Sequence, residues 1–148
     1  MSSSLADVEQ IKQLKARYFR HMDTRNWDEW RKCFTADVTA SYDGPPRLGK
    51  RDDPTEVSCN GRDNLVAAVS GLFVEARSIH QGYMPEIELT SATTATGIWS
   101  MWDYIRSPKG TFKGWGHYHE QYVKEDGSWK ISRIKLTRLH VEDTWSGI

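Results

Sequence analysis

The chain has 148 residues, and its 20 Lys and Arg balance 20 Asp and Glu to a formal net charge of zero. With no net positive field and no basic run interleaved with aromatics, no nucleic-acid partner is expected, nor attraction to an acidic membrane surface. No apolar stretch approaches membrane-spanning length and no basic segment leads into an apolar run, so the expectation is a cytoplasmic protein forming one domain over 1–148.

The first segment reads as a helix, because Leu5, Val8, Ile11, Leu14, Tyr18 and Met22 recur every three or four residues, with Lys12, Lys15 and Arg17 off that stripe. A second helix is expected from Asn26-Trp27-Asp28-Glu29, where Asn26 can cap and Glu29 can reach back. Its apolar positions are Trp27, Trp30 and Phe34, and it should fade at Thr35-Ala36-Asp37. Val38 to Tyr42 alternates and is β-branched, so it reads as a strand. From Asp43 to Cys59 the chain is rich in Gly, Pro and charge, around Pro45-Pro46 and Asp52-Asp53, which predicts a long loop of the kind that rims or covers binding sites. Asn60-Gly61-Arg62-Asp63 announces a third helix carrying Leu65, Val66, Val69, Leu72 and Phe73.

Beyond Ile79 the period turns toward two, predicting strands at about 79–89, 94–106, 112–125 and 129–141. Asp126-Gly127 between the last two is a hairpin signal, and Ser107-Pro108-Lys109-Gly110 is a turn. Helices followed by long antiparallel strands give an α+β layer structure. Strands this long can curl into an open half-barrel that the helices cap, enclosing a pocket.

Several residues carry candidate chemistry. Asp23 follows the first helical stripe, at a helix end where the macrodipole disfavours an anion. His80 opens a strand, and a carboxylate on one ring nitrogen would fix its tautomer and raise the basicity of the other. Asp103 shares a strand face with Trp99, Met101 and Ile105, while Ile98, Trp102 and Tyr104 share the other, so the strand is central and the carboxylate buried in part. Such a group needs a partner: a functional role and a structural ion pair with an Arg both stay open. His117 and His119 point to one strand face, but no third ligand has fitting spacing, so neither a metal nor a cofactor is expected there. An outer sheet face or subunit contact suits them better, with Tyr118 and Tyr122 opposite. Cys33 and Cys59 are too few for a disulfide framework. The seven Trp, six Tyr and four Phe fit a packed core or a pocket for apolar, ring-shaped molecules.

The run Ile11-Lys12-Gln13-Leu14 through Tyr18, Met22-Asp23, Trp27, Trp30 and Phe34 to Asp37-Val38-Thr39-Ala40-Ser41-Tyr42 resembles the opening of SnoaL-like proteins of the NTF2-like superfamily. Gly61-Arg62-Asp63, His80, Tyr118–Tyr122 and Asp126-Gly127-Ser128-Trp129-Lys130-Ile131 continue the resemblance over nearly the whole chain. It implies an NTF2-like cone: a curved, mostly antiparallel sheet wrapped around three helices and enclosing a pocket. Within the superfamily the chain is similar to scytalone dehydratase, bile acid 7α-dehydratase and hexachlorocyclohexane dehydrochlorinase, which are cofactor-free lyases with an Asp–His dyad. That similarity implies Asp23 and His80 as the dyad, and Tyr18, Tyr42, Asp103, Tyr118 and Arg138 as substrate-binding positions. The implied activity is loss of water from a small, hydrophobic, cyclic hydroxy-carbonyl compound without a cofactor. Isomerisation or cyclisation of a polyketide, terpenoid or steroid is the alternative, as is a non-catalytic module like the small subunit of ring-hydroxylating dioxygenases. A homodimer or homotrimer is expected from the resemblance together with the apolar sheet face.

Overall fold

The computed structural model describes residues 2–43 and 56–144. The first helix, α1 (Ser2–Asp23), buries Ile11, Leu14, Tyr18 and Met22 as its periodicity predicts. Leu5, placed on the same stripe, is exposed. The end of the last hairpin meets the helix at Asp7, whose Oδ1 accepts from Trp129 Nε1 at 2.9 Å and Lys124 Nζ at 3.1 Å.

A Schellman motif stops α1. The Asn26 N–H donates to His21 O at 2.8 Å and the Arg25 N–H to Met22 O at 3.0 Å, with Arg25 in the left-handed region at φ 56°. Arg25 supplies this geometry where glycine is usual, and the chain turns so that Asp23 ends the helix facing the sheet. Asn26 then caps α2 (Trp27–Arg31), its side chain accepting from the Glu29 N–H at 3.4 Å.

That second helix is shorter than expected. Phe34, read as its last apolar position, instead opens strand β1 (Phe34–Asp43). Spacing three and four apart cannot separate a one-turn helix running into a strand from a longer helix. Pairing decides it: Ile131 N–H donates to Cys33 O at 2.8 Å and Phe34 sits in register with Ile131.

The expected loop from Asp43 to Cys59 is strand at its far end. Here β2 (Glu56–Asn60) pairs antiparallel with β1, Thr39 opposite Asn60. Residues 44–55, with Pro45-Pro46 and Asp52-Asp53, lie outside the described residues. Gly61 (φ 89°) then leads into α3 (Arg62–Leu72).

Four long strands follow: β3 (Arg77–Leu89), β4 (Thr94–Ser107), β5 (Gly110–Glu125) and β6 (Ser128–Asp143). The β5–β6 turn has both central residues at positive φ, Asp126 at 50° and Gly127 at 78°, the form that matches strand twist. The described strands form one sheet in the order β2-β1-β6-β5-β4-β3, antiparallel except where β1 runs parallel to β6. Register shifts at Tyr83/Glu86 in β3 and at Trp115/Gly116 and Gln121/Tyr122 in β5 add bends to its curve.

The inner face carries the core. Along β4, Trp99, Met101, Asp103 and Ile105 are buried, while Ile98 is exposed and Trp102 and Tyr104 are half-buried. On β5, Tyr118 and Tyr122 point inward and His117 and His119 lie on the outer face, as alternation predicts. Tyr18 and Phe19 of α1 pack edge-to-face, Tyr18 meets Trp30 and Phe34, and Trp27 stacks on Phe73 at 6.3 Å. One expectation fails here: Lys15, read as lying off the apolar face, is fully buried. It adjoins Leu14 on the inward arc, and a carboxylate on the sheet receives it.

Candidate active site

Asp23 reaches the start of β3 and is held by three donors. Ser78 Oγ–H donates to Oδ1 at 2.8 Å, and the His80 backbone N–H donates to Oδ2 at 2.8 Å. His80 Nδ1 stands 2.7 Å from Oδ1. An ionised carboxylate has no proton to give, so Nδ1 is the donor in this contact, and in the neutral ring that tautomer leaves the lone pair on Nε2. The His80 side chain is only 6% exposed, and Phe73 packs edge-on against it with centroids 6.0 Å apart.

On its other side His80 approaches Asp103, whose Oδ2 lies 3.8 Å from Nε2. That is too long for a hydrogen bond. The pairing of β3 with β4 sets His80 directly opposite Asp103. Asp103 is 3% exposed and is met by Arg138 of β6 in a two-pronged pair, Nη1 to Oδ1 at 2.7 Å and Nη2 to Oδ2 at 3.1 Å. Arg138 Nε–H also donates to Asp43 O at 3.1 Å. Between β4 and β6, Gly114 of β5 leaves the space this pair needs. A Cβ there would stand 2.7 Å from Asp103 Oδ1 and collide with the Arg138 guanidinium.

Phe73, His80, Asp103 and Arg138 line a recess that opens to the surface, a concave setting of the kind small molecules occupy. Its wall is mainly apolar, with Met22, Val69, Leu72, Ile105 and Leu136 contributing. Tyr18, Tyr42 and Tyr118 also line it, and the hydroxyls of Tyr18 and Tyr42 lie 3.2 Å apart. Burial pushes the Tyr18 and Tyr118 phenols well above their ordinary range, and Tyr42 is raised by the same cause. All three are therefore protonated and able to donate. The recess thus brings together an imidazole, a clamped carboxylate and phenolic donors: a candidate base, an anion and sites for a developing oxyanion.

Every residue expected at the site, Tyr18, Asp23, Tyr42, His80, Asp103, Tyr118 and Arg138, belongs to this cluster. Sequence reading missed Ser78, Phe73 and Gly114. Ser78 lies two residues before His80 on the same strand side, which is a usable signal once Asp23 is paired. Gly114 inside a long strand marks a close approach of other groups. Phe73 read only as an apolar helix position.

A SnoaL-like domain family model matches residues 3–135. A provisionally assigned cyclase from Gibberella zeae is 24% identical over 136 residues, covering 88% of this chain and 89% of the relative. The crystal structure of a provisionally assigned scytalone dehydratase from Novosphingobium aromaticivorans superposes with a TM-score of 0.83 at 22% identity, covering 96% of this chain and 90% of that one. A hexachlorocyclohexane dehydrochlorinase from Novosphingobium barchaimii does so with a TM-score of 0.77 at 17% identity, over 95% and 91% of the two chains. The matched span runs from α1 into β6 and takes in the recess except Leu136 and Arg138, and the chain belongs to the SnoaL-like domain family.

Proposed function

We propose that the protein is a cofactor-independent lyase that removes water from a small, cyclic, hydrophobic hydroxy-carbonyl compound. The observation that carries this reading is the 2.7 Å contact between Asp23 and His80 inside an apolar recess. His80 Nε2 takes a proton from the carbon beside the carbonyl, and the C–H electrons form the enolate. Tyr18 or Tyr118 donates to the enolate oxygen, stabilising charge where it develops. Asp23 holds the imidazolium in place once it forms.

Both oxygens of Asp103 already accept from Arg138, so the proton is returned by the imidazolium. Collapse of the enolate forms the C=C bond and expels the β-hydroxyl, which leaves as water with the proton from Nε2. Asp103, 3.8 Å from Nε2, accepts from the departing hydroxyl and steadies the transient positive charge. Because Arg138 is engaged by Asp103 and Asp43, it supports recognition of an uncharged substrate over a carboxylate.

The Gibberella zeae relative favours a second reading, cyclisation or isomerisation, which uses the same proton abstraction without a leaving group. A probe that needs no leaving group tests the shared step. In D2O, 2-tetralone, a neutral bicyclic ketone, should take up deuterium at its α-carbon faster with the protein than in buffer, as read by mass spectrometry. His80→Ala and Asp23→Asn should each slow this by roughly 10²–10⁴-fold without loss of fold. Exchange that persists in His80→Ala sinks the assignment. A bicyclic β-hydroxy ketone then separates the two readings, since only the lyase releases the unsaturated product.

A further inference from the structure

Lys15 takes no part in that proton transfer, yet it is a fully buried cation beside the recess. Its Nζ donates to Glu120 Oε2 at 2.6 Å. The other Glu120 oxygen accepts from Tyr122 O–H at 2.7 Å, and Tyr122 in turn accepts from Trp99 Nε1–H at 3.0 Å. Each oxygen of the anion thus has its own donor. On its remaining sides the ammonium faces aromatic rings: Nζ is 3.6 Å from the Tyr118 centroid, 3.7 Å from Tyr18 and 4.9 Å from Phe19.

The arrangement follows from two spacings. Lys15 and Tyr18 are three apart on α1, hence neighbours on one helix face. Tyr118 and Glu120 are two apart on β5, hence on one sheet face. Packing α1 on the sheet brings the cation and anion together and traps the cation between the two rings.

A buried ion pair is a poor source of stability, because desolvation offsets the attraction and apolar replacements are often as good. Burial pushes the Lys15 ammonium below its ordinary range, the sign of that cost. What the cation touches is more telling: both rings belong to recess tyrosines, and the Tyr18–Tyr42 pair shares one hydrogen bond, leaving one O–H for a ligand.

We infer that Lys15 is a positioning residue for the oxyanion site: held between the Tyr18 and Tyr118 rings, it fixes their orientation and draws electron density from both phenols, making their hydroxyls stronger donors to an enolate oxygen in the recess. This rests on the lyase reading, in which those tyrosines face the developing charge. The ammonium acts at short range with no water to screen it, where electrostatic preorganisation is strongest.

The probe is 1-naphthol, whose neutral and ionised forms absorb differently, so the midpoint of its ionisation when bound reports stabilisation of an aryl oxyanion. The wild-type chain should bind it and hold the midpoint below that of free naphthol. Lys15→Met with Glu120→Gln removes both charges at nearly constant volume, and should raise the bound midpoint by about one pH unit, a roughly tenfold loss of oxyanion stabilisation. Tyr122→Phe loosens the same network while keeping the cation, and should lower the melting temperature without moving the midpoint. If the doubly substituted chain does not fold, Lys15→Arg gives the reading, since it retains the cation and must retain the wild-type midpoint. The inference is overturned if wild type neither binds naphthol nor lowers its midpoint. It is equally overturned by a folded doubly substituted chain that titrates like wild type, or by a folded Lys15→Arg chain that does not. Deuterium exchange into 2-tetralone is read separately, so loss of the lyase reading and loss of this inference are told apart.

Discussion

Two ion pairs lie buried against the inner face of the sheet, and they solve burial in different ways. Asp103–Arg138 borders the recess beside His80, with a planar guanidinium matching both carboxylate oxygens. Lys15–Glu120 is a single short contact sealed at 0% exposure on both side chains, with aromatic faces completing the cation's surroundings and Tyr122 completing the anion's. The fork of Arg138 fixes direction, which suits a group that must hold one carboxylate at a set place next to a base. The ammonium of Lys15 is a point charge whose influence spreads through the rings it touches. One pair therefore shapes the recess directly, and the other acts on it through Tyr18 and Tyr118.

Breaking the recess pair should have the largest consequence. Arg138→Met strands the Asp103 charge in the core and should cost about 3–5 kcal/mol in a denaturant melt. Adding Asp103→Asn should recover most of that stability, because no uncompensated charge remains. A single variant as stable as wild type would mean that the pair carries no structural weight.

The deep pair is tested by alkali, because Tyr18, Tyr118 and Tyr122 surround it and burial raises all three phenols from an ordinary value of 10.0, with Tyr42 raised alongside. Above that pH the unfolded chain releases these protons while the folded chain keeps them. Their contribution to stability is therefore fully present below pH 10 and falls as pH rises, by at most about 1.4 kcal/mol per pH unit for each tyrosine. Cys33, pushed up from 9.0 to about 11 by burial, and Cys59, raised by the same cause, act in the same direction and add a shallower loss from pH 9. Lys15, lowered, acts oppositely, but it is one group against four tyrosines and two cysteines. Thermal melts followed by circular dichroism from pH 8 to 11 should show a steep decline beginning near 10; a flat profile would contradict the burial of the tyrosines.

Gly114→Ala sharpens the comparison most gently. The added methyl intrudes on Asp103 and Arg138 and leaves Lys15 and Glu120 untouched, so about 1–3 kcal/mol of stability should be lost. Deuterium exchange into 2-tetralone should fall by a larger factor than in Tyr122→Phe, which disturbs only the deep pair. Equal losses in the two variants would erase the distinction.

Much of this protein was legible before folding was considered. The stripe from Ile11 to Met22, the alternation along β4 and the Asp126-Gly127 turn are local patterns, and each element formed where its period indicated. Asp103 was identifiable as a buried carboxylate needing a partner, because both faces of its strand are apolar. The end of α2 was misread at Phe34, since a few residues of apolar spacing are shared by helix and strand and only pairing with Ile131 distinguishes them.

Other features depend on groups far apart in the chain. Asp23 and His80 are 57 positions apart, Lys15 and Glu120 are 105, and Asp103 and Arg138 are 35. Local period says which way a side chain points but nothing of what it will meet. Lys15 shows this plainly: on the helix alone a lysine beside the apolar stripe belongs in water, and only a carboxylate two positions beyond Tyr118 on a distant strand makes its burial tolerable. The amino-acid order determined the elements and their faces, because those follow from short-range sterics and hydrophobic periodicity. Tertiary packing decided the pairings of charge, because a buried ion is stable only where the fold delivers its counter-ion.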